Sequence, residues 1–229
     1  MKNFTAAIAT VALGLALVGC GSDNKSNTKT STSTSTSTST STSTSTTTST
    51  STAPGQQANK TIADYIIENH ITETPVHHGD PGSPTINLPV PEGWTLIPEG
   101  SGAPYGGIVY SKPTDPNDPP TIVALVSKLT GDVDPAKIIQ YAPGELKNLP
   151  AYEGSGDGSA STLGGFQAWQ LGGSYTKNGK KRAVAQKTVV ITSPNGLFVL
   201  QLDADSLDSE QAVLMDATNV IDDQTTIAP

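Results

Sequence analysis

The chain has 229 residues, 13 Lys and Arg against 21 Asp and Glu, a formal charge of −8 and a single cysteine. One cysteine excludes an intramolecular disulfide, a cysteine-based zinc site and an iron–sulfur cluster. An acidic chain without a basic stripe lacks the lysines and arginines that supply phosphate affinity, so no nucleic-acid partner is expected. No apolar run reaches the roughly 18 residues of a transmembrane helix.

The N-terminus reads as a sorting signal. Met1-Lys2-Asn3-Phe4 is a short basic start, and the apolar stretch Thr5–Val18 is too short for a stable membrane span. It ends in Leu17-Val18-Gly19-Cys20, an apolar residue and two small ones before the only cysteine. That is the layout of a bacterial lipobox. Residues 1–19 are therefore expected to be a signal peptide, cleaved between Gly19 and Cys20. The Cys20 thiol would carry diacylglycerol and its freed amine a further acyl chain, since several chains anchor far better than one. The predicted location is the outer side of the cell membrane, lipid-anchored, with release or association with the cell wall as the alternatives.

From Thr28 to Thr52 the chain is almost pure Ser-Thr alternation. It has no apolar side chain to bury, so nothing offsets the entropy of folding. Residues 20–57 read as a tether of roughly 30–35 Å root-mean-square reach, whose hydroxyls are candidate O-glycosylation sites. Residues 58–229 have the size and composition of one globular domain. Lys2, Lys25, Lys29 and Asp23 precede it, which leaves 10 basic and 20 acidic residues and a charge of −10.

Within the domain, Thr61-Ile-Ala-Asp64 resembles a capping box, and Ile62, Tyr65, Ile66 and Asn69 continue at helical spacing to about His70. Pro75, Pro81 and Pro84 mark an extended connection. Thr85–Leu88, Trp94–Ile97 and Gly107–Ser111 read as short strands, and Asp115–Pro120 as a turn. Ile122–Leu129 is rich in β-branched and aliphatic residues, as a buried central strand is. Asp134-Pro135 opens a second helix as N-cap and first residue. It runs to Tyr141, or to Leu149 with a break at Pro143-Gly144. Tyr152–Ala160, Phe166–Tyr175, Arg182–Thr192 and Leu197–Ala204 are the next strands. Asn178-Gly179 makes a hairpin turn between the second and third, and Ser193–Gly196 a turn between the third and fourth. Asp208–Ile221 closes the chain as a helix with acids at its start. Strands joined by tight hairpins are antiparallel, so the fold class is α+β: a twisted antiparallel sheet covered by helices, with one terminal helix pair on a face.

Four segments carry a resemblance. Ile62-Ala-Asp-Tyr-Ile-Ile-Glu-Asn-His-Ile-Thr-Glu-Thr-Pro-Val76, Leu88-Pro-Val-Pro-Glu-Gly-Trp94, Ala103-Pro-Tyr-Gly-Gly-Ile-Val-Tyr110 and Gly131-Asp-Val-Asp-Pro-Ala-Lys137 are similar to the mycobacterial LpqN/LpqT lipoprotein family. The resemblance covers the whole domain and the signal–lipobox layout, and only the tether differs in length and purity. It implies a PsbP-like (Mog-type) α/β/α sandwich and a mycobacterial or related actinobacterial surface lipoprotein. It also implies links to envelope lipids and to protein contacts. It carries over no catalytic residue.

The residues offer little catalytic chemistry. His77-His78-Gly-Asp80, with His70 and Glu73 upstream, has ligand-type side chains but no i, i+4 histidine pair, so a solvated loop is favoured over a metal or acid–base site. No Gly-x-Ser-x-Gly elbow is present. Gly154-Ser-Gly-Asp-Gly158 lacks the Lys-Ser/Thr end and following helix of a phosphate loop. Asp203, Asp205 and Asp208 fail the calcium-hand spacing, because Asp208 stands where glycine is needed. Lys177, Lys180, Lys181 and Arg182 form one basic patch beside the hairpin turn, where charges protect a sheet edge. Trp94, Tyr105, Tyr110 and Trp169 are the candidate pocket aromatics, each weighed against a place in the core. The expected function is a surface lipoprotein that binds a small apolar or glycolipid envelope component without catalysis and without cofactor or metal. The alternatives are a protein–protein adaptor, assisting an envelope transporter or contacting a host partner, and more distantly a hydrolase or metal enzyme using His77 or His78.

Overall fold

The computed structural model describes residues 59–98 and 101–229. The signal peptide, the lipobox with Gly19 and Cys20, and the Ser/Thr tract lie outside the described residues. The first helix, α1 (Ile62–Glu68), begins with the expected capping box. Thr61 Oγ1 accepts from the Asp64 amide at 3.1 Å, and the Asp64 carboxylate accepts from the Thr61 amide at 2.9 Å. It buries Ile62, Tyr65 and Ile66 and ends before His70, whose backbone turns to φ 53.

The elements that follow are β1 (Thr72–Val76), β2 (Thr85–Asn87), β3 (Trp94–Leu96), β4 (Gly106–Tyr110) and β5 (Thr121–Thr130). Next come α2 (Pro135–Tyr141), α3 (Gly144–Lys147), β6 (Glu153–Gly154), β7 (Ser159–Leu163) and β8 (Phe166–Lys177). The chain closes with β9 (Lys180–Ser193), β10 (Gly196–Leu207), α4 (Gln211–Gln224) and β11 (Thr226–Ala228). Nine strands form one antiparallel sheet in the order β3-β4-β5-β10-β9-β8-β6, with β1 on β5 and β7 on β8. One edge of β5 is shared: β4 pairs with its first half and β1 with its second, while β10 occupies the other edge.

Three local readings are corrected. The Pro75 segment is not merely a connection, because it forms β1 on β5, with Pro75 opposite Ser127. Proline is tolerated there because β1 is an edge strand. Tyr152–Ala160 is not one strand. Gly156 and Gly158 take φ of 71 and 90, and this turn splits the segment into β6 and β7. A short strand after the last helix, β11, pairs with β2 in a separate two-stranded ribbon. The Asn178-Gly179 hairpin is present, with φ of 52 and 73 at its two residues.

Alternation along the central strands builds two cores. Ile122, Ala124 and Val126 of β5, Val189 and Ile191 of β9, and Phe198, Leu200 and Leu202 of β10 pack on Leu214, Ala217 and Ile221 of α4. The intervening Leu129, Val190 and Val199 pack on Ile62, Tyr65 and Ile66 of α1 and Ile138 of α2. The sheet is thus the middle layer of an α/β/α sandwich. The helices paired on one face are α1 and α2, not the two terminal ones, and α4 covers the other face.

Candidate functional site

The side of the sheet under α4 does not fill completely. Along β9 the side chains of Ala183, Ala185 and Lys187 face α4, and Ala204 of β10 lies beside them. Alanine is too short to reach a helix packed at ordinary sheet distance, so space remains between strand and helix. The result is an open groove of about 720 Å³, roofed by Leu214, Met215, Thr218 and Asp222 of α4 and rimmed by the turn through Ser155 and Gly158. A second cavity, of about 220 Å³, opens between β2 and the β4–β5 hairpin. Ile122, Leu202 and Ile221 border both spaces. The small cavity is mainly aliphatic, with Ile86, Leu88 and Ile108, whereas the groove carries many amides, hydroxyls and charges.

One buried charge stands in the groove. Lys187 is 7% exposed, and its Nζ lies 2.7 Å from Asp222 Oδ1 on α4 and 3.2 Å from Ser161 Oγ on β7. The ion pair therefore ties the sheet to the helix across the groove, and the pairing makes a buried lysine tolerable.

The sequence-predicted residues are spread apart. Tyr105 lines the small cavity, where its hydroxyl donates to the Pro84 carbonyl and accepts from the Ile86 amide, both at 3.1 Å. Burial pushes its phenol upward. His78 stands edge-on to the Tyr105 ring at 5.6 Å and borders the same cavity. Trp94 is buried against Tyr110, with ring centroids 5.6 Å apart, and neither lines the groove or the small cavity. Trp169 packs in the core on the α1–α2 side, its indole N–H donating to the Asp157 carbonyl at 2.7 Å. His77 is exposed, with Nδ1 3.5 Å from Asp80 Oδ2. Among the described residues no three His, Cys, Asp or Glu side chains gather in a metal-binding group.

The aspartates 203, 205 and 208 take separate roles. Asp205 joins Asp118 around the buried guanidinium of Arg182. Asp208 borders the groove. Asp203 lies on the α1–α2 face in a polar cluster that sequence reading missed. The Gln186 side-chain nitrogen donates to Glu145 Oε2 at 2.9 Å and to Asp203 Oδ1 at 2.8 Å, and that of Gln201 donates to Glu145 Oε2 at 3.1 Å. Desolvation pushes Asp203 up to about 7 against the Gln186 hydrogen bond, and raises Glu145 as well. The basic patch is largely neutralised: Lys180 faces Asp115 and Asp118, and Lys181 faces Glu153.

The missed groove residues had a faint signal, since Ala183-Val-Ala185 puts two small side chains on one face of a strand otherwise rich in valine and isoleucine. Nothing in the sequence distinguished them from core alanines.

An antiparallel α/β/α sandwich with an open groove under its last helix is the class of domain present. The family described as "Probable lipoprotein LpqN" matches residues 58–228, and the chain belongs to it. It is 72% identical over 229 residues to the Lipoprotein LpqN of Mycobacterium tuberculosis (strain ATCC 25618 / H37Rv), covering 100% of both chains. It is also similar to a crystal structure described as LpqN involved in cell envelope biogenesis of Mycobacterium tuberculosis. That match has a TM-score of 0.73 and 75% identity, covering 75% of this chain and 99% of the other.

Proposed function

We propose that this lipoprotein is a non-catalytic binding module of the cell envelope, taking an amphipathic lipid or glycolipid beneath α4. The observation that supports it is the pair of spaces that share Ile122, Leu202 and Ile221 in their walls. A polar head suits the groove, with its hydroxyls, amides and the Lys187–Asp222 pair, and an apolar chain suits the aliphatic small cavity. The relative's described involvement in cell envelope biogenesis agrees with such a ligand.

The test is native mass spectrometry of the chain purified from its own host. The expected result is a co-purifying lipid mass that disappears in Ala185→Phe. Ala185 is only partly buried, so the larger ring enters the groove rather than the core. A wild-type protein free of lipid, or a lipid retained by Ala185→Phe, overturns the reading.

Membrane attachment is proposed to run through lipid on Cys20, with the Ser/Thr segment as spacer. Cys20→Ala is expected to move the protein into the soluble fraction. If that variant stays with the membrane after high-salt washing, the anchor is elsewhere. An envelope transporter or a host protein is the alternative partner. Among the described residues the large exposed apolar side chains are Ile67, Val90, Leu96 and Met215, and Ile67 on α1 and Met215 on α4 belong to helices on opposite faces of the sheet, so the four do not make one patch for such a partner.

A further inference from the structure

The short helix α3 has no side-chain cap of its own, so its position depends on what holds it to its neighbours. Three attachments are specific. Leu146 is buried, at 5% exposure. Asn148 exchanges hydrogen bonds with Asn59, at 2.8 Å in each direction, where the described chain begins. Gly144 lies so close to the Lys60 carbonyl that a Cβ would collide with it. The fourth attachment is Glu145, whose carboxylate reaches the sheet and meets Asp203 across the Gln186 amide. Both carboxylates accept from the same nitrogen, so their oxygens lie less than two hydrogen-bond lengths apart.

We propose that Glu145 and Asp203 hold one proton between them in mildly acidic conditions, and that its loss as pH rises through neutrality loosens α3 from the sheet. Two like charges so close and so poorly solvated repel strongly, and amide donors offset only part of the cost. Among the described residues no cation is ion-paired with either carboxylate. On the same sheet face, Arg182 of β9 is engaged by Asp118 and Asp205, and the Tyr175 hydroxyl of β8 donates to Asp205. From β1, Glu73 adds a third negative group, bonded to Ser127 of β5 and raising Glu145 further. The nearby lysines are engaged elsewhere: Lys60, just before α1, by Glu68, Lys137 of α2 by Gln140 and Lys147 of α3 by Asp157.

The sign follows from the direction of the shifts. A carboxyl raised in the folded state binds its proton more tightly there than in the open state. Its stabilising contribution is complete below the ordinary value of 3.8 and is lost as pH climbs to about 7. For one proton, the opening constant of α3 rises at most about tenfold per pH unit in that window and levels off above it.

The test is amide hydrogen exchange on the whole chain, read at Lys147, Asn148 and Leu149, which are hydrogen-bonded within and just after α3. After correction for the intrinsic exchange rate, their opening constant is expected to rise at least about tenfold between about pH 5 and about pH 8 in the wild type. It should change little in Asp203→Asn and in Glu145→Gln. A wild-type change below about twofold, or an unaltered pH dependence in both variants, overturns the proposal. If neither variant folds, carboxyl-carbon NMR of the wild type decides. One of the two carboxyls titrating near neutrality supports the shared proton, and both titrating in the ordinary carboxylate range overturns it.

Discussion

Arg182→Ala is expected to destabilise the domain by about 3 kcal/mol in urea unfolding, the low end of the range for breaking a buried ion pair. The guanidinium is 6% exposed; Arg182 sits close to the turn of the β8–β9 hairpin, opposite Tyr175, and at the open end of the β9–β10 hairpin, opposite Leu207. It binds both oxygens of Asp118, at 2.9 and 2.7 Å, and also engages Asp205. Asp118 belongs to the turn before β5, so a single side chain pins that turn to the far strands. Removal leaves two carboxylates facing each other with Tyr175 still donating to one. Burial, and then the Asp205 carboxylate, push the Tyr175 phenol up, so it remains a donor. Asp118 and Asp205 keep 28% and 26% of their side-chain surface exposed, and water there recovers part of the cost. Arg182→Lys should restore less than half of the loss, because an ammonium cannot grip two carboxylates as a planar fork does. A loss below about 1 kcal/mol would mean that solvent already screens the cluster.

Phe198→Ala should cost more, about 3–5 kcal/mol, with an unchanged denaturant slope. Phe198 is 1% exposed on β10, the strand between β5 and β9, and belongs to the core beneath α4. Lys128 Nζ lies over its ring at 5.7 Å from the centroid. The neighbouring strands are hydrogen-bonded along their length and cannot close the void, so the lost transfer energy and the cavity term add. A cost below about 1.5 kcal/mol would show that the core relaxes into the hole.

Much of the fold was legible because its signals are local. The Thr61–Asp64 capping box, the Asp134-Pro135 helix start and the Asn178-Gly179 turn depend on residues a few positions apart, and each forms as the sequence suggested. The misread segments depend on distant partners. The Pro75 segment becomes β1 only because β4 leaves half of the β5 edge free, and β11 exists only because β2 is there to receive it.

The site was legible to a smaller degree. Of four aromatics singled out, Tyr105 alone lines either of the two spaces described, because aromatic rings bury well anywhere and their identity does not say on which side of a sheet. The groove arises from Ala183, Ala185 and Ala204 meeting α4, and the acid pair from residues 145 and 203 meeting across the sheet. By itself the sequence determined the antiparallel α+β class, the first two helix starts and the Asn178-Gly179 hairpin, since these follow from periodicity, capping and turn chemistry between near neighbours. Only the tertiary structure decided where space remains and which carboxyls must share a charge. Both are products of packing, and packing is set by residues that the chain keeps far apart until it folds.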